Sequence, residues 1–125
     1  MNIYLHCMSV LPVLVYGEKK VKDLVVGDKT LCSVGTHFTP IPITQIESED
    51  YGNWFKITYS NGEELIFDRE IPFSIGQRFE TLSEEEITIS SIKNYNKVSK
   101  AYKIKLKDSF DDIYINDILI KGTYE

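Results

Sequence analysis

The sequence predicts an all-β fold with at most short helical turns. Three observations carry this. Apolar or alternating runs of four to eight residues recur along the chain, separated by turn signals. Aromatic residues make up 12% of the chain and stand among many Ile and Val, the types that fit a pleated, half-buried surface. Asn61-Gly62 lies between two β-like runs, the strongest short hairpin signal in the sequence.

In chain order, residues 2–6 predict a short strand leading into Cys7. Residues 13–16 are apolar and closed by Gly17, as in a buried strand followed by a turn. Val21 and Leu24 are apolar and three apart, which predicts one helical turn before the Val26-Gly27-Asp28 stop. Residues 29–34 read as a strand and residues 35–42 as a loop, because Pro40 and Pro42 each lack the N–H that a central strand needs. Residues 43–48 alternate as a strand, and residues 48–53 form a polar turn.

Residues 54–60 and 64–67 are the arms of the Asn61-Gly62 hairpin, with Phe55, Ile57 and Tyr59 on one face. Residues 71–75 read as an edge or bulged strand because of Pro72, and Gly76-Gln77 links them to residues 78–80. Residues 81–87 carry the best helix-start signal: Thr81 or Ser83 can cap, and the acids behind suit a helix N-terminus. Residues 87–92, 101–106, 112–115 and 118–120 complete the strands, with Asn116-Asp117 as a turn. No repeat is visible by simple identity.

Composition narrows the function classes. At 125 residues the chain fits one domain, spanning residues 1–125, with residues 1–6 as a short extension before Cys7. A net charge of -5 argues against nucleic-acid or anionic-membrane partners, which need a clustered positive surface. The basic stretch 93–107 interleaves Lys with apolar residues and reads as the solvated face of a strand. No apolar run reaches the roughly 20 residues of a membrane span, and the start lacks a basic signal-peptide region, so a cytoplasmic or virion location is expected.

Cys7 and Cys32 are expected as free thiols. With His6 and His37 they make the ligand types of a zinc site, but the adjacent His6-Cys7 pair has unsuitable spacing. No metal, cofactor or small-molecule substrate is expected. A Cys-His dyad is disfavoured because neighbours on a strand point to opposite faces.

Three segments together resemble the Hint family, the fold of inteins and of the hedgehog autoprocessing domain. Cys7-Met8-Ser9 with LPVLVYG, VKDL and VGD resembles the opening cysteine, first strand and "D-L-x-x-G-D" stretch. ITYSNGEELIFDREIPFSIGQRFETLSEEEI resembles the core strand "G-x-x-I-x-x-T-x-x-H-P-F" followed by a "W/F-x-x-A-x-x-L" tail. DDIYINDILIKGT resembles the closing hairpin. The resemblance covers nearly the whole chain and implies a curved β-horseshoe with pseudo-twofold symmetry whose ends meet beside the cysteine.

It also implies a chemistry. In the family the cysteine thiol attacks the preceding carbonyl, here that of His6, and converts the peptide bond to a thioester. Cys7 matches the nucleophile. The family Thr and His that serve the scissile amide correspond to Asp68 and Ile71, and isoleucine has no proton to give. General acid-base help is worth roughly 10²–10⁴-fold. The terminal His-Asn pair corresponds to Lys121 and Gly122, and glycine has no amide with which to cyclise. Thr123 falls at the downstream nucleophile, and Asp111 and Asp112 lie near a family catalytic position but read as turn residues. The expectation is a catalytically degenerate domain acting as a structural or protein-interaction module, with a protein partner or a larger viral or phage assembly. The alternative is autoprocessing limited to an N-to-S acyl shift and cleavage at His6-Cys7.

Overall fold

A computed structural model describes residues 4–14, 17–34, 37–107 and 112–121. The described residues form twelve strands: β1 (Leu5–His6), β2 (Val10–Leu14), β3 (Gly17–Lys20), β4 (Lys29–Val34), β5 (His37–Tyr51), β6 (Trp54–Tyr59), β7 (Glu64–Asp68), β8 (Arg78–Glu80), β9 (Glu86–Tyr95), β10 (Ser99–Leu106), β11 (Ile113–Ile115) and β12 (Ile118–Ile120). Among the described residues the helical content is one 3-10 turn, Val21–Asp23, where the Val21 and Leu24 spacing predicts it. The fold class is therefore the all-β one that the alternation and turn signals predict.

The strands hydrogen-bond in the order β12-β11-β4-β5-β10-β1-β7-β6-β9-β8, with β2 and β3 forming a hairpin against β4. An isolated bridge, Thr81 to Ile118, joins the two ends of this series, so the sheet bends round into a horseshoe whose tips touch. Side chains from every part of the bend meet in one apolar cluster that includes Leu11, Val13, Ile43, Leu65, Phe67, Ile89, Ile113 and Ile120. Each fully buried side chain of this kind stabilises by roughly 1.5–3 kcal/mol.

The pseudo-twofold symmetry is visible in backbone hydrogen bonds. Gly27 N donates to Ile43 O (2.9 Å), Ile43 N to Asp28 O (2.8 Å) and Asp28 N to Val25 O (3.1 Å). In the second half Gly76 N donates to Ile89 O (2.8 Å), Ile89 N to Gln77 O (3.0 Å) and Gln77 N to Ser74 O (3.1 Å). Side chains complete the match: Asp28 Oδ2 accepts from Val25 N (3.0 Å) and Gln77 Oε1 from Ser74 N (3.1 Å). Both glycines have positive φ, +101° and +87°, a conformation that a side chain strains. Only the glycine and the isoleucine it bonds, Ile43 or Ile89, are shared in sequence, which is too little for identity to show a repeat.

Several expectations are corrected. Residues 37–51 form one fifteen-residue strand that contains both prolines, where a loop was expected. Ile43 N points at Asp28 on the β4 side, and residues two apart point the same way, so Thr39 and Ile41 face β4. The missing N–H groups of Pro40 and Pro42 face the other edge, where pairing with β10 begins only at Ile43. The polar turn shrinks to Gly52-Asn53, since β5 continues through Tyr51. Residues 71–75 form no strand but a bend and irregular chain leading into the turn at Ile75-Gly76, because the chain folds back directly after Asp68, with Ile71 N donating to Asp68 O (3.2 Å) and Phe73 N to Ile71 O (2.9 Å).

The helix start at Thr81 becomes a tight turn. Thr81 Oγ1 does accept from Glu85 N (3.1 Å), but Glu84 takes φ +66° and β9 begins at Glu86, leaving too little chain for a helix. The basic stretch is divided between β9 and β10, which pair with other strands and not with each other. The short strand expected over residues 2–6 is present in its described part as β1, where Leu5 is paired on both sides, with Tyr102 and with Phe67.

Candidate functional site

Cys7 follows β1 in a tight turn. Ser9 N donates to His6 O (3.0 Å), and Lys22 N donates to Cys7 O (3.1 Å), which ties the turn to the 3-10 segment. Val21 N donates to Ser9 O (2.7 Å) and completes the attachment. The cysteine is half-buried. The carbonyl that it would attack is thus already polarised by one backbone donor.

His6, by contrast, is buried, 5% exposed. Its Nδ1 accepts from Met8 N (3.2 Å), which places the proton of the neutral ring on Nε2. Nε2 has no hydrogen-bond partner among the described residues. The ring stands at right angles to Trp54 (5.1 Å between centroids) and to Tyr95 (6.0 Å), contacts that offset part of that cost. Burial pushes the imidazole below its ordinary titration range, so the histidine is held neutral.

Asp68, at the end of β7, is also buried. Its Oδ1 accepts from Tyr51 hydroxyl (2.7 Å) and from Glu70 N (3.1 Å), and its Oδ2 from Tyr4 N (3.5 Å). Burial, together with the bond to Asp68, pushes the Tyr51 phenol up to about 12. None of these bonds involves Cys7. Ile71, three residues on, is 5% exposed and belongs to the apolar cluster, next to the stacked pair Phe67 and Phe73 (5.4 Å).

Cys32 is fully buried, and burial, with a contribution from Asp112, pushes its thiol up to about 12. It is inert as a nucleophile at neutral pH. Of the zinc-type residues, His37 is exposed at the start of β5, and among the described residues no three His, Cys, Asp or Glu side chains converge as a metal site. Lys121 is exposed and lines a cleft of about 170 Å³ with Arg78, Phe79, Glu80, Glu86 and Leu119. Gly122, Thr123 and Asp111 lie outside the described residues, and Asp112 O accepts from Ser33 N (3.1 Å) in support of β4.

No family model and no curated protein matches the chain in sequence. Solved structures do match it in shape. The gp41-1 intein superposes with a TM-score of 0.78 at 17% identity, covering 98% of this chain and 100% of that one. The chain has the intein-like Hint fold. An intein-like domain from Clostridium thermocellum (TM-score 0.78, 13% identity, 98% and 99% covered) and the Ssp DnaB mini-intein variant M86 (0.77, 10%, 97% and 95%) match similarly.

Within this Hint fold, the structure brings Cys7, His6 and the β7 end carrying Asp68 to neighbouring positions around β1. It places Ile71 in the apolar core. The residues that sequence reading misses are Tyr4, which leads into β1, and Tyr51 and Trp54, which pack against Tyr4 and His6 from β5 and β6. Their only sequence signal is aromatic residues close to polar turns, too common to single them out.

Proposed function

We propose that this Hint-fold domain is a structural or protein-interaction module that does not process itself, serving a larger assembly in the cytoplasm or in a virion. One observation carries the reading. The position that the family resemblance gives to the acid is Ile71, a side chain committed to the apolar core, while neighbouring Asp68 spends its oxygens on Tyr51, Glu70 and Tyr4. A thiol attack without protonation of the departing amide nitrogen lacks a contribution of roughly 10²–10⁴-fold. Incubation of the purified chain with excess thiol or hydroxylamine tests this by intact mass. An unchanged mass is expected; loss of residues 1–6 overturns the proposal.

A second reading, N-to-S acyl shift with cleavage at His6-Cys7, is favoured by the Ser9 N–H donated to His6 O, which is the direction of help an attacked carbonyl needs. Under it, cleavage appears with thiol and disappears in Cys7→Ala.

A further inference from the structure

The ten-strand order narrows to a single residue pair where β11 meets β4 and again where β1 meets β7. On one side of β1 lie β12, β11, β4, β5 and β10; on the other lie β7, β6, β9 and β8. Along the ladder the two-residue strand Leu5–His6 joins them, pairing with Tyr102 and Ala101 of β10 and with Phe67 of β7, while the Thr81–Ile118 bridge links their far tips. The segment upstream of Cys7 therefore fills a slot between the two halves of the sheet.

The slot recognises side chains as well as backbone. The Tyr4 ring packs on Tyr51 (4.2 Å between centroids), Lys103 Nζ lies 4.4 Å from its centre, and its hydroxyl donates to Glu49. Tyr4 N donates to Asp68 Oδ2 (3.5 Å). Leu5 is 1% exposed in the apolar cluster. His6 fits edge-on to Trp54 and Tyr95. Three successive positions thus have three different receptors: a phenol between an aromatic ring and a cation, an aliphatic pocket, and an aromatic corner.

We infer that the slot between β7 and β10 is a strand-binding site for an extended peptide with phenol, aliphatic and imidazole side chains in succession, occupied in this chain by its own Tyr4–His6. Such binding combines backbone pairing for affinity with side-chain pockets for selectivity. The inference builds on the reading of the domain as an interaction module and names what it holds. It gives Asp68 a purpose at its position, fixing the upstream strand through Tyr4 N. It also means that the upstream segment stays in place when the covalent link to Cys7 is cut.

The full chain supplies the test. Cyanylation of the folded protein targets half-buried Cys7 and spares Cys32, which is fully buried and has its thiol raised to about 12. Mild alkali then cleaves on the amino side of the modified cysteine. Size-exclusion chromatography with intact-mass detection follows residues 1–6, and a fluorescent synthetic peptide of residues 1–6 is added in excess. Expected are co-migration of the cut segment with the body and its exchange for the labelled peptide. Peptides carrying Tyr4→Ala or Leu5→Ala should bind more than about tenfold more weakly. Aggregation of the cut body that the wild-type peptide prevents also supports the site. Release of the segment without uptake of peptide, or aggregation that the peptide does not prevent, overturns it. A parallel sample with thiol and no cyanylation separates the two proposals, since cleavage there sinks the non-processing reading and leaves the slot to be decided by co-migration.

Discussion

Asn116 and Val10 are joined by a reciprocal pair of bonds, Asn116 N to Val10 O and Val10 N to Asn116 Oδ1, both 2.8 Å. The same side chain donates from Nδ2 to Glu64 O (3.0 Å). One residue in the turn between β11 and β12 thus fastens the closing hairpin to β2, near the start of the chain, and to β7. Its φ of +50° suits Asn better than most residues with a side chain.

Asn116→Ala leaves the Val10 N–H and Glu64 carbonyl without these partners and keeps an unfavourable φ. A loss of about 2–4 kcal/mol is expected, with Asn116→Gly roughly 1 kcal/mol milder because glycine tolerates the backbone. Urea unfolding followed by the fluorescence of Trp54, the single tryptophan and fully buried, measures both.

The matched turns predict matched costs. Gly27→Ala and Gly76→Ala meet open space, but both hold positive φ, so each should cost about 1–2 kcal/mol. Asp28→Ala should cost more than Gln77→Ala, because Asp28 also pairs with Lys19 at 3.0 Å. Denaturation midpoints of the four variants decide the ranking.

Thiol titration should count one cysteine in the native chain and two in denaturant. Cys7 is half-buried, while Cys32 is fully buried with its thiol raised to about 12, so native Cys32 should react more than about a hundredfold more slowly. Two equally fast thiols in the folded protein contradict the described packing.

His6 makes the fold sensitive to acid. Its folded-state titration lies below the ordinary value of 6.5, so between these values the unfolded chain binds more protons and stability falls as pH falls. The contribution is complete above about pH 6.5 and is lost as pH drops through the lowered value. The groups facing the ring are Trp54, Tyr95 and the Met8 N–H, which supply no carboxylate to receive the charge. Thermal melts between pH 7.5 and 5 should show the decline, and His6→Phe should flatten it.

The sequence makes local structure legible wherever one short rule decides it. Asn61-Gly62 places the β6–β7 hairpin, with Thr58 opposite Glu64. Val21 and Leu24 locate the 3-10 turn, and residues 29–34 match β4. The rules fail where a partner strand decides. Pro40 and Pro42 are admitted to β5 because their bare nitrogens face the edge that β10 does not yet occupy, and nothing in a window around them reveals that. Thr81 caps a turn because β9 must begin five residues later.

The candidate site divides in the same way. Cys7 and the residue types of Asp68 and Ile71 are readable in the linear pattern. The turn back to β7 that puts Asp68 under Tyr4, and the burial of His6 between two aromatic rings, depend on contacts between residues 48 to 89 positions apart. Asn116 reads as a turn residue, and its grip on Val10 spans 106 positions.

The bridge between Thr81 and Ile118 bears on how the protein behaves when concentrated. Open sheets invite foreign strands at their outermost members, and fibrils grow from such templates. Here β8 and β12, the ends of the ten-strand series, are three residues long and lie against each other, with Leu82 N donating to Asp117 O at 2.8 Å, while the third outer strand, β3, carries Glu18, Lys19 and Lys20. Arg78 and Glu80 add charge to β8. The described strands thereby offer a growing fibril little at these two tips on which to seed, and charge guards the edge of β3.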